Sequence, residues 1–237
     1  LRSLVGSEMC IRDRLMMLER LEASRLAVTP EGRANALMAF VSVRRLGREQ
    51  AADLDPVALE QAFATLSDFP ESMTAQYVAC NVITKLVFSM ARPAVPPEAA
   101  EALVSACRRT SGKRNACAAA CAALGACAVG AQECILLLES RAAEAALDAM
   151  EGSGHCVRVA VAAATALYSL AAYGFPQEEG LLRRAFRSLR GVASIHPEAL
   201  APASAFACRA VTSERGARVA SEEGGLPLLL RALRVSF

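Results

Sequence analysis

Residues 143–170 read AEAALDAMEGSGHCVRVAVAAATALYSL, two amphipathic stretches joined by a glycine-bearing turn. In the first stretch Ala143, Ala146, Leu147 and Met150 stand at i, i+3, i+4 and i+7, which gathers apolar groups on one helical face. In the second, Ala163, Leu167 and Leu170 follow the same spacing. Both patterns recur along the chain with a period of about 40 residues, in five copies each, which marks a two-helix repeat. With Leu66, Cys107, Met150, Leu189 and Leu233 in register, three positions earlier stand Phe63, Val104, Leu147, Phe186 and Leu230. Four earlier are Ala62, Leu103, Ala146, Ala185 and Leu229, and seven earlier Leu59, Ala100, Ala143, Leu182 and Leu226. The second helix has Val43, Ile83, Leu124, Leu167 and Ala207 in register, each preceded four residues earlier by an alanine: Ala39, Ala79, Ala120, Ala163 and Ala203. A small side chain held at one place suits helix axes that approach to about 8–10 Å.

This pattern predicts an all-α chain, a right-handed α-solenoid of about five to six units that fills residues 15–237 as one domain. Leu1–Arg14, LRSLVGSEMCIRDR, is set apart because it resembles a translated sequencing-library adapter. It is expected to be a disordered, non-native scar. Residues 224–237 read as the first helix of a unit with no second helix after it, so truncation at both ends is expected. The charge-free run Val159–Phe175 is shorter than the ~20 residues of a membrane span and is built on alanine, so no membrane association is expected.

Turn residues punctuate the units. Pro56, Pro96, Pro97 and Pro176 stand where helices open, with Asp55 as a candidate cap, and Gly112, Gly152, Gly154 and Gly174 fall in connections. Ala131–Leu138 and Glu214–Ala220 read as short extra helices between units. Residues 91–97 and 172–177 are too short or too rich in proline for one.

Two segments carry a family resemblance. Ser221–Leu233, SEEGGLPLLLRAL, looks like the glycine turn and second helix of an armadillo repeat, and Thr165–Ala171, TALYSLA, is similar to the end of that family's third helix. Over residues 26–237 the pattern resembles the armadillo/HEAT group of helical repeats. The resemblance implies a scaffold that binds a peptide or helix of another protein on a concave face, without cofactor or metal. In peptide-binding members a ladder of Trp and Asn on successive third helices lines the groove. Here the Trp rung falls on Val41, Asn81, Ala122, Thr165 and Ala205, and the Asn rung on Arg45, Lys85, Ala126, Ser169 and Arg209, so no rung keeps the family residue. Arg45, Lys85 and Arg209 in equivalent places point instead to an acidic partner, since arginine grips carboxylates in bidentate fashion. The candidate groove residues are therefore Arg45, Lys85, Ser169, Arg209, Asn81 and Thr165.

The alternative is a helical-repeat RNA binder of an organelle, in which each unit reads one base with two or three polar side chains. Ala122, Ala126 and Ala205 cannot hydrogen-bond a base. A formal net charge of +2 over 237 residues, with no basic block, also argues against nucleic acid.

Chemistry finds little footing. Apart from Cys10 there are eight cysteines, with no C-x-x-C, and the spacing of Cys117, Cys121, Cys127 and Cys134 matches no zinc signature. They read as small buried residues in a reducing, cytoplasmic compartment. His155 and His196 are the only histidines, and no catalytic set forms around them. Glu178–Glu179 and Glu222–Glu223 read as carboxylates at helix N-termini. No enzyme activity is expected.

Overall fold

The computed structural model describes the backbone of residues 2–44, 54–90, 93, 95–153 and 155–235, and the side chains of 14–42, 54–90, 93, 95–153 and 155–231. All regular structure among the described residues is helical: thirteen α-helices and one short 3-10 helix. The repeat predicts one domain over 15–237, but the helices group into two compact units, 1–94 and 95–237. The division falls in the proline-bearing segment before Pro97.

The first unit is four helices: α1 (Arg2–Leu26), α2 (Pro30–Arg44), α3 (Asp55–Asp68) and α4 (Met73–Ser89). α1 packs on α2 and α3 on α4, and the pairs then stack α1 on α3 and α2 on α4. α1 is thus the first helix of the pair completed by α2. It buries Met17, Leu21 and Ser24, one helical face. Its backbone is helical from Arg2, where a disordered segment was expected; the stretch contains no proline, and extending an anchored helix costs less than nucleating one. Asp55 lies inside the first turn of α3, with Leu54 at the cap position, so it is not the cap. Its carboxylate accepts from Ser89 Oγ at 3.5 Å. Buried Gln76 fixes the α3–α4 turn by donating from Nε2 to the carbonyls of Leu66 (2.9 Å) and Phe69 (3.1 Å).

The second unit contains α5 (Pro97–Arg109), α6 (Arg114–Cys127), α7 (Ala131–Glu139), α8 (Ala142–Gly152), α9 (Val157–Ala171), α10 (Glu179–Ile195), α11 (Leu200–Ala210), α12 (Glu214–Glu222) and α13 (Gly225–Val235). α7 and α12 are the two short extra helices that the sequence predicts, and the described residues of 91–96 and of 172–177 form none. Like stacks on like: α5, α8 and α10 form one row and α6, α9 and α11 the other. The register residues Leu66, Cys107, Met150 and Leu189, with those three, four and seven before them, are all buried. So are Ile83, Leu124, Leu167, Ala207 and the alanines Ala79, Ala120, Ala163 and Ala203. The alanine requirement is sharpest between α6 and α9, where a Cβ on Gly125 would sit 3.0 Å from Ala166 Cα. The run Val159–Phe175 is α9 and the turn after it, packed between α6 and α11. No helix among the described residues is long and apolar enough to cross a membrane.

α13 departs from the stripe. It turns Gly225 and Leu228 inward and leaves Leu226 and Leu230 more than half exposed. Gly225 comes so close to Phe186 and Ala220 that a Cβ would meet them at 2.9 and 3.0 Å, and this contact sets the roll of the helix.

Candidate partner-binding surface

The candidate residues fall in both units. On α4, Asn81 is half-buried and donates from Nδ2 to the Tyr77 carbonyl of its own helix (2.8 Å), and Lys85 is half-buried one turn further on. On α2, Val41 is buried, which closes that rung, and Arg45 lies outside the described residues.

In the second unit three rungs belong to adjacent helices. On α6, Ala122 is half-buried and Ala126 buried, so that rung offers no polar group. On α9, Thr165 is exposed and Ser169 half-buried, and on α11 Ala205 is half-buried and Arg209 exposed. Arg209 does not wave in solvent. Its guanidinium lies 5.3 Å from the Tyr168 ring centroid and donates from Nη1 to the Ala172 carbonyl at 3.3 Å, so ring and helix end hold it in one place. Cys134 Sγ lies 3.8 Å from the Ser169 carbonyl and Tyr173 donates to the Val129 carbonyl at 3.2 Å, which ties the end of α9 to the α6–α7 connection. Thr165, Tyr168, Ser169 and Arg209 thus form one polar, anchored surface on α9 and α11. The sequence reading placed Thr165, Ser169 and Arg209 but missed Tyr168, which stands one residue before a rung.

A larger charged network lies across α10. Arg183 bonds to Glu179, Glu222 and Glu223; Arg187 bonds to Glu223 (2.6 Å); Arg184 bonds to Asp148 and Glu151. Glu222 and Glu223 end α12 and do not begin a helix, which corrects the sequence reading. Gly224 at φ +78° takes the left-handed turn before α13, and Arg190 donates to the Glu223 carbonyl at 2.9 Å. The Arg187 and Arg183 guanidinium groups hold the Glu223 carboxyl down at about 2. Arg183 and Arg218 likewise lower Glu179, and Arg184 lowers Glu151. Arg183, Arg184, Arg187 and Arg218 are each paired with a carboxylate, and Arg190 is held by a backbone carbonyl.

Six of the described cysteines are buried. Cys117 is pushed far above its ordinary range by its hydrogen bond with Cys121 and by burial, and burial does the same to Cys127. Burial and then Glu133 push Cys134 up to about 11. Such thiols are poor nucleophiles. Among the described residues no three His, Cys, Asp or Glu side chains converge as a metal set. Compared with protein families, with curated proteins and with solved structures, the chain matches none.

Proposed function

We propose that this chain is a protein-interaction scaffold, an armadillo/HEAT-like right-handed α-solenoid that receives an acidic peptide or helix of a partner along its third-helix row. The observation that carries the reading is the α9–α11 surface. There every apolar register residue is buried, while Thr165, Ser169, Tyr168 and Arg209 face outward with the guanidinium already positioned. A cation fixed before binding loses less rotamer freedom on contact with a carboxylate. The stacking of like helices within each unit supports the repeat architecture.

A photo-crosslinking residue at Thr165, with one at Arg187 as control, tests this in a lysate of the source cells. Protein adducts are expected from position 165 alone, and Arg209→Glu in the same chain should deplete them, because attraction turns into repulsion. Equal adducts from both positions would sink the reading. Recovery of RNA in place of protein would replace it with the RNA-binding alternative.

A further inference from the structure

The α5–α6 and α8–α9 turns lie side by side at one edge of the second unit. Arg158, in the first turn of α9, donates from Nη1 to Asn115 Oδ1, in the first turn of α6, at 2.9 Å. A Cβ on Gly152 would stand 3.1 Å from Ser111 Oγ. The helices α6 and α9 therefore begin at the same edge. Neither cap position, Lys113 or Cys156, supplies a side-chain acceptor to the free N–H groups there.

Around these two helix starts stand Arg108, Arg109, Lys113, Arg114 and Arg158, all exposed, with exposed His155 beside them. Among the described residues none of the five cations pairs with a carboxylate, whereas Arg183, Arg184, Arg187 and Arg218 all do. Arg108 and Arg109 close α5, where a cation offsets the negative end of the helix dipole. Lys113, Arg114 and Arg158 have no such compensation. They occupy the cap and first turn of their helices, where the dipole repels a positive charge. Helices α2, α3, α5, α7, α8, α10 and α12 place an acid in that turn. The C-terminal ends of α5 and α8 lie at the same edge and offset part of this charge, but five cations that pair with no carboxylate, three of them at the N-terminal ends of α6 and α9, leave the edge positive.

We propose that this edge binds a short acidic segment of another protein, its carboxylates meeting the N–H groups of α6 and α9 and the guanidinium groups of Arg114 and Arg158. Apart from the His155 imidazole none of these residues carries a ring, so successive nucleic-acid bases find no row of stacking platforms. The five cations exceed the chain's formal net charge of +2, so the remaining surface is net negative and repels a polyanion longer than the patch. A short segment meets the patch alone. The site shares no residue with the α9–α11 surface and stands whether or not that reading holds.

The test is fluorescence anisotropy of a labelled decaglutamate peptide with the intact chain at low salt, beside a labelled decauridylate. Decaglutamate should bind, and Arg114→Glu/Arg158→Glu should weaken it by about tenfold or more. The melting temperature should hold or rise, because an acid in the first turn suits the dipole. If that variant loses helicity, Arg108→Ala/Lys113→Ala gives the same readout without charge reversal. No binding of decaglutamate by the wild type, undiminished binding by a folded variant, or tighter binding of decauridylate would each overturn the proposal.

Discussion

Helices α6 and α9 meet through alanine, glycine and cysteine, whereas α10 meets α12 and the start of α13 through arginine and glutamate laid over a phenylalanine cluster. Both contacts lie in the second unit. In the first, close approach itself is the stabilising device: side chains are short, backbones come near, and dispersion accumulates over many small contacts. Beneath the second, the Phe186 ring of α10 stands 5.7 Å at 67° from the Phe206 ring of α11 and Phe175 lies 4.9 Å from Phe206, so large rings fill the space under the ion-paired rim. The small-residue contact should fail by overfilling. The aromatic contact should fail by emptying.

The largest effect is expected from emptying. Phe186→Ala removes a fully buried ring from beneath the charged rim and should cost about 4 kcal/mol in urea unfolding. A cost below about 1 kcal/mol would mean that the ion pairs, and not the rings, hold α10 in place. Overfilling comes next. Gly125→Leu must push α6 away from the Ala166 backbone and should cost about 3 kcal/mol, while a neutral result would remove the claim of close approach.

A smaller and pH-dependent effect is expected from the rim. Glu223 keeps its charge in the folded state down to about pH 2, below its unfolded range near ~4.3. Its contribution is therefore full above about pH 5 and is lost as pH falls toward 2. Glu223→Gln should melt below the wild type at neutral pH, and calorimetry at stepwise lower pH should bring the two curves together. A gap that stays constant with pH would show that the charge of Glu223 is immaterial. The smallest effect concerns Arg141, the one described non-glycine residue at positive φ (+67°), in the α7–α8 turn. Arg141→Gly should stabilise the chain by about 0.5 kcal/mol, relief of the left-handed strain outweighing glycine's extra entropy. A loss of stability would show that its bond to Glu144 matters more.

The same contrast explains what the sequence let one read. The α6–α9 contact is legible because a helical period of apolar residues, with an alanine four before each register residue, is written locally in every copy. The rim is not, because Arg183 and Arg187 find Glu222 and Glu223 some 36 to 40 residues away, and only the packed structure chooses that pairing. Setting residues 1–14 aside also hid that α1 is the partner of α2, although Met17, Leu21 and Ser24 already lie on one face. For the α9–α11 surface, register placed Arg209 and Ser169 but could not show that Tyr168 holds the guanidinium. The α6–α9 edge is only partly written in the sequence: Arg108, Arg109, Lys113 and Arg114 share the short run 108–114, RRTSGKR, but Arg158 joins them only through the packing that sets α9 beside α6.

The close packing around α6 also makes its thiols a clock. Cys208 is exposed and Cys156 half-buried, while Cys107, Cys117, Cys121 and Cys127 are sealed between α5, α6 and their neighbours. A thiol-modifying reagent meets Cys208 in the folded chain. It can reach the sealed four only when helices part, so slow modification mapped to these four positions, and not to buried Cys80 of the first unit, reads out how often the interior of the second unit opens.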